Sequence, residues 1–137
     1  MRLLTKKEIK AIWNKYKRQY PVLKEYTFYF KRINTCYVWD KTKVMVFGLK
    51  GYASECKEGY TEYACMKWFP NGSKDIERVA NYLLLHEISH ILTDKKYPSD
   101  KRAHGRHFQN TYKRLLVKHG FLERQRVDNK VFYREIL

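Results

Sequence analysis

Cysteine is scarce in this chain and is not arranged for metal or disulfide chemistry. Cys36, Cys56 and Cys65 are three in number, with no close pair. An odd count without a Cys-x-x-Cys spacing argues against a disulfide scaffold and against a zinc knuckle. Reduced thiols in a cytoplasmic protein are the expectation. Glycine and proline are also few, at 6 and 3 in 137 residues, which leaves no long flexible linker. Long apolar runs are missing. The first ten residues, MRLLTKKEIK, are too short in apolar content for a secretory core, and no later run approaches a membrane span. No internal repeat or low-complexity tract occurs, so a single domain over 1–137 is expected. Acidic residues are outnumbered, 14 against 29 Lys and Arg, for a net charge of +15. A field of that sign attracts polyanions, with nucleic acid foremost and an acidic partner protein as the alternative. Association with a nucleoid or nucleus fits the same charge.

What the chain does have is apolar and aromatic material, 44% hydrophobic and 16% aromatic, including 12 Tyr. That suffices for a packed core. Thr5 and Glu8 form a capping-box pair ahead of Ile9, Ile12, Trp13, Tyr16 and Tyr20, which recur at helical spacing until Pro21. A first helix over Thr5–Tyr20 follows. From Tyr26 to about Trp68 the pattern turns to strands: Tyr26–Ile33, Tyr37–Leu49 with a turn at Asp40-Lys41, and Thr61–Phe69. Gly48, Gly51 and Gly59 punctuate them. Antiparallel strands joined by short turns are the economical expectation.

Pro70-Asn71-Gly72-Ser73 breaks the chain, and a second helix is expected from Ser73 or Asp75 to about Thr93. It is apolar nearly all round, through Ile76, Val79, Ala80, Leu83, Leu84, Ile88 and Ile91, as a buried helix is. A polar loop, 94–102, leads to a third helix from about Gly105 to His119, with Phe108, Tyr112, Leu115 and Leu116 inward and Gly120 as its stop. The tail carries apolar residues around Asp128-Asn129, consistent with a terminal hairpin. The fold class is therefore α+β: an N-terminal helix, a small antiparallel sheet of three to four strands, a buried helix and a following one.

The buried helix contains His86-Glu87-Ile88-Ser89-His90. Residues four apart share a helix face, about 5–6 Å apart at Cβ. Two imidazoles so placed can meet one zinc ion at about 2.0–2.1 Å from each nitrogen. Glu87 lies about 100° further round the helix, beside the metal rather than on it. There it can act as general base, taking a proton from the attacking water and passing it to the leaving amine. Catalytic zinc takes three protein ligands as a rule. The short extension of Gly at +3 and His at +6 is absent, since those positions hold Thr93 and Lys96. His104, His107, Asp94 and Asp100 are the candidates further on. His104 is preferred: 13 residues after His90 suffice to turn the chain back, and Gly105 permits close backbone approach. His107 could orient substrate or stabilise an oxyanion. Asp94 and Asp100 suit helix and loop ends. His119, beside Gly120, suits a cation at a helix C-terminus. Lys95, Lys96, Lys101, Arg102 and Arg106 surround the loop and could hold phosphates.

His86-Glu87-Ile88-Ser89-His90 with His104-Gly105-Arg106-His107-Phe108, which reads as His-Gly-x-x-Phe, resembles the SprT-like zinc metallopeptidases, the group that includes Spartan. It is also similar to small metallohydrolase-like proteins of bacteria and phages. The resemblance covers about residues 75–120. It implies a zincin-like fold, a zinc ion on His86, His90 and His104, Glu87 as the catalytic residue, and Phe108 packed behind the third ligand. For Spartan-like members it implies proteolysis of DNA-attached proteins. The paired cysteines of the C-terminal zinc ribbon common in that group are absent here. The expected activity is hydrolysis of a protein or peptide substrate near nucleic acid, with an extended substrate pairing along a strand such as Thr61–Phe69. The alternatives are a basic nucleic-acid- or protein-binding adaptor that keeps a zinc site, and a zinc hydrolase of a non-peptide substrate.

Overall fold

The computed structural model describes residues 2–60 and 73–136. The expected strand Thr61–Phe69, most of the break at 70–73, and Cys65 lie outside them. The elements run α1 (Lys6–Gln19), a 3-10 turn (Pro21–Glu25), β1 (Thr27–Lys31), β2 (Tyr37–Trp39), β3 (Val44–Gly48), α2 (Leu49–Glu58), α3 (Ile76–Lys96), α4 (Arg106–Lys118), β4 (Leu122–Val127) and β5 (Lys130–Glu135). The class is α+β.

α1 forms where its capping box lies. The Glu8 N–H donates to Thr5 Oγ1, and the Thr5 N–H donates to the Glu8 carboxylate. Its inward stripe is Ile9, Trp13 and Tyr16, all fully buried. β2 and β3 pair antiparallel across the turn at Asp40-Lys41, where Lys43 takes a positive φ of 55°. β1 departs from expectation. It pairs parallel with β3, Thr27 opposite Val44 through Lys31 opposite Gly48, so the sheet order is β1-β3-β2 and the sheet is mixed. The link 32–36 carries the chain past β3 before β2 returns alongside it. β3 is therefore the central strand, and Met45, Val46 and Phe47 are fully buried.

α2 is a second correction, since strand signals were expected to continue here. Gly48 and Gly51 are not turn punctuation. A Cβ on Gly48 would stand 2.3 Å from the Thr35 carbonyl oxygen, and one on Gly51 would stand 2.2 Å from that of Asn34. The two glycines let the 33–35 backbone lie against the start of the helix. Tyr52 and Cys56, one turn apart, then bury into the core.

α3 is capped by Asp75, whose side chain accepts from the Arg78 N–H, and it runs three residues beyond the expected end at Thr93. It buries residues on nearly every face, Val79, Ala80, Leu84, Leu85, Ile88 and Ile91 among them, so the sheet, α1, α2 and α4 can all pack around it. Tyrosines fill much of this core. Their hydroxyls are satisfied internally, as buried phenols require. Tyr16 donates to Asn81 Oδ1, Tyr52 to the Ile76 carbonyl and Tyr112 to the Tyr82 carbonyl. The expected terminal hairpin is present as β4–β5, turning at Asp128 and Asn129 with φ of 49° and 65°. Both central residues at positive φ make a turn whose twist matches a hairpin.

Candidate metal centre

Burial of α3 fixes the direction of its polar face. His86 and His90 stand one turn apart, with ring centroids 5.0 Å from each other. α4 packs against α3 through Phe108 and Tyr112, and this packing returns the preceding loop to the same point. His104 lies in that loop. Its ring centroid is 5.1 Å from that of His86 and 4.9 Å from that of His90. One nitrogen from each of the three rings lies within 4.8 Å of the others.

A metal fits this geometry. Two nitrogens at about 2.0–2.1 Å from a tetrahedral ion stand about 3.3 Å apart, and His86 Nε2 lies 3.2 Å from His104 Nε2. Three imidazoles suit zinc, copper, iron or nickel and do not suit magnesium or calcium. Their charge state fits as well. Burial, then the neighbouring rings of His86 and His104, push His90 down to about 3, although Asp40 acts the other way. His90 is thus neutral at physiological pH, with a lone pair to offer. Phe108 is buried at the centre of the group. Its ring centroid is 4.9 Å from His86, 4.2 Å from His90 and 5.0 Å from His104.

Glu87 is only 6% exposed. Its Oε2 lies 3.8 Å from His86 Nε2, beside the histidine group. Cys36 and Cys56 are not part of this group. Burial pushes the Cys36 thiol up to about 12. The Glu87 carboxylate adds to that shift, and the Gly48 N–H opposes it only in part.

The remaining expected residues are elsewhere. His107 does not join the three histidines. Its ring stacks on Tyr97 at 3.6 Å, in a cleft with Asp100 and Arg102. Asp100 accepts from the backbone N–H and guanidinium of Arg102. Lys95, Lys96, Lys101, Arg102 and Arg106 are exposed, with Lys96 over the Tyr97 ring and Arg102 tied to Asp100. Gly105 does give a close approach, but to Arg102 and not to the metal point: an added Cβ would stand 2.9 Å from Arg102 Cβ. His119 is no cation. Its Nε2 lies 2.8 Å from the Tyr20 hydroxyl and its ring packs on Tyr16. Burial, then Lys118 and Lys15, push it down to about 4.

Two contacts here were not expected. The Gln109 side chain donates to the His104 carbonyl at 2.9 Å, pinning the third histidine from the first turns of α4. Asp94 does not simply end a helix. It stands one more turn along the His86–His90 face and hydrogen-bonds to Asp40, which also accepts from the Tyr26 hydroxyl at 2.6 Å. The pair lines a cavity of about 510 Å³ with Tyr26, Lys43, Ile91 and Lys95. The i, i+4, i+8 series His86, His90, Asp94 was the available signal.

Burial, then the hydrogen bond and charge of Asp40, push Asp94 up to about 7. Burial also pushes Asp40 up, but the hydrogen bonds from Asp94 and Tyr26 outweigh it and hold Asp40 below the usual range. The sign for stability follows. Above its ordinary value of 3.8, Asp94 loses its proton in the unfolded chain yet keeps it when folded. The folded state then binds more protons, and Asp94 lowers stability progressively from about pH 4 to about pH 7. Asp94→Asn retains a donor to Asp40 and cannot ionise. Thermal melts should show it matching wild type near pH 4 and exceeding it by a few degrees at pH 8. An equal offset at both pH values would contradict this assignment.

Against known proteins, no family model, no curated protein and no solved structure matches this chain. No helix among the described residues is long and apolar enough to cross a membrane.

Proposed function

We propose that this protein is a zinc-dependent peptidase with a zincin-like, SprT-like arrangement, acting on protein substrates close to nucleic acid. The observation that carries the reading is the convergence of His86, His90 and His104 on one point with the buried carboxylate of Glu87 beside them. A glutamate at that depth is costly to bury unless it has partners or a task. The order of parts supports the same reading: two histidines on one buried helix, the third just before the next, and Phe108 behind all three. The net charge of +15 supports a nucleic-acid setting.

Zinc held there supplies Lewis acidity, bringing the pKa of a water molecule to about 7 and polarising a substrate carbonyl. Glu87 Oε2 accepts the proton of the attacking water and delivers it to the leaving amine. Phe108 and Tyr112 exclude solvent from the rear of the histidine rings. Gln109 holds the His104 backbone so that its ring meets the other two.

Zinc titration of the chelator-stripped protein tests the centre. Wild type should take up one equivalent. His86→Ala, His90→Ala and His104→Ala should each weaken binding by more than about 100-fold, beyond the 10–100-fold typical of residues behind the ligands. His107→Ala should bind as wild type does. Proteolysis of an unfolded protein such as casein should appear with zinc and vanish in the three ligand variants. Retained zinc affinity in His104→Ala, with loss in His107→Ala, would overturn the ligand set.

A further inference from the structure

A cavity beside the histidines runs against the charge of the whole chain. It measures about 510 Å³, the size of a small-ligand pocket. Its position follows from α3. Asp94 lies four residues beyond His90, about 6 Å further along the same helix face, and the charge of Asp40 is felt at His90. The facing wall comes from the 3-10 turn, through Val22 and Tyr26, and from the β2–β3 turn, through Asp40 and Lys43. The cavity therefore adjoins the metal centre on the sheet side of α3.

Its lining has two characters. Val22, Ile91, Pro98 and the Tyr26 ring make apolar walls. Three of the chain's 14 acids, Glu25, Asp40 and Asp94, converge on the same space, in a chain where cations outnumber acids about two to one. Lys43 and Lys95 line it as well, but both are exposed and sit on flexible stems that can move aside. Lys43 Nζ lies over the Tyr26 ring at 5.2 Å. Asp40 and Asp94 are hydrogen-bonded to each other, and the Tyr26 hydroxyl donates to Asp40. This pairing is no gain for the fold, since Asp94 lowers stability as pH rises to about 7. Costly acids in a cleft beside a reactive centre point to a ligand.

We infer that this cavity is the subsite for a lysine or arginine side chain of the substrate, next to the peptide bond held at the metal. The inference rests on the peptidase reading of the histidine centre and names the residue that this centre prefers. The apolar walls take the methylene stem, and the carboxyl pair takes the ammonium or guanidinium head. Other occupants fit less well. An acidic side chain meets three acids. An apolar one strips water from the carboxyl pair and returns no hydrogen bond. A metal ion is not held here, because His86, His90 and His104 are the only converging set of three or more donors among the described residues. The protein's own field sharpens the point. At +15 it repels cations at large, so a preference for a basic residue has to be local to these carboxylates.

Two capped hexapeptides that differ only at a central residue, lysine or norleucine, test the subsite. Glu87→Gln supplied with zinc should hold them without turnover, and fluorescence anisotropy of the labelled peptides reads the affinity. The lysine peptide should bind at least about 10-fold more tightly, the return on one charge-assisted contact. Adding Asp40→Asn/Asp94→Asn keeps size and hydrogen bonding and removes the charge, so the ratio should fall below about twofold. Adding Glu123→Gln, which removes a charge on the distant hairpin, should keep the full ratio. In wild type, mass spectrometry of casein fragments should place most cuts beside Lys or Arg, a readout that needs no variant to fold. The inference fails if the two peptides bind alike, or if the Asn pair keeps the ratio. It also fails if a norleucine peptide with a free α-amino end binds as tightly as the capped lysine peptide, which would give the cavity to a chain terminus. Selective binding with no cleavage of casein would sink the peptidase reading and leave the cavity as a site for basic side chains. Cleavage of casein without regard to Lys or Arg would do the reverse.

Discussion

Glu87→Gln should keep its zinc and lose its turnover. The substitution preserves shape at a position that is 6% exposed and removes the only group at Oε2 able to take a proton. General-base contributions are commonly about 10²–10⁴-fold, and a fall of that size in kcat, with KM little changed, is the expected result. Stability should hardly move. A neutral amide avoids the desolvation cost of a buried carboxylate, which offsets the weakened contact with His86, so the variant should melt close to the wild-type temperature. That pairing separates a catalytic glutamate from a structural one, because loss of a structural carboxylate would lower both activity and melting temperature. Zinc titration should return one equivalent for both proteins. Cleavage of casein by Glu87→Gln at the wild-type rate would end the claim that this residue is the base. Salt-sensitive nucleic-acid binding by a wild type that cleaves nothing would favour the adaptor alternative.

α1, α3 and α4 were legible because their signals are local. Thr5 with Glu8, the all-round apolar run through residues 76–91 and the inward stripe of α4 each stand in a window of about a dozen residues. So does His86 with His90. The choice of His104 over His107 was legible only in part, since both precede or begin the same helix. The structure separates them: His104 comes before the first turn and faces α3, whereas the His107 ring leaves the group to stack on Tyr97. What could not be read locally was long-range. The parallel pairing of β1 with β3 depends on which strand lies at the centre, and no strand's own alternation encodes that. α2 was hidden because Gly51 is a poor helix former. Its glycine serves the Asn34 carbonyl packed against it, a partner 17 residues away in sequence. The Asp40–Asp94 pair joins a hairpin turn to a helix in the same non-local way. His119 was misread because its setting is made by α1: Tyr16 and Tyr20 bury the ring and remove the cation that a helix C-terminus would otherwise favour.

Phe108→Ala should produce the largest loss of stability at the centre, and the reason links packing to metal affinity. The ring is 1% exposed and touches all three histidines as well as Tyr112. Removing a buried phenyl ring commonly costs about 3–5 kcal/mol, from lost burial and from the cavity left behind. Chemical denaturation of the zinc-free protein should show a loss in that range, with the slope against denaturant unchanged. The second effect is on the metal. With the ring gone, the three imidazoles lose the surface that sets their tilt. Zinc affinity should fall by about 10–100-fold, the size seen when groups behind metal ligands are removed. Linkage makes the two effects separable. Zinc stabilises by RT ln(1 + [Zn]/Kd), so at a fixed zinc concentration well above both dissociation constants the stabilising increment should be smaller in Phe108→Ala by about 1.4–2.7 kcal/mol for a 10–100-fold weaker site. Phe108→Leu fills most of the same space and should recover most of both losses. An Ala variant that is destabilised as expected but gains the full wild-type increment from zinc would show that Phe108 supports the fold alone, and that α3 and the 104–105 loop orient the histidines without it.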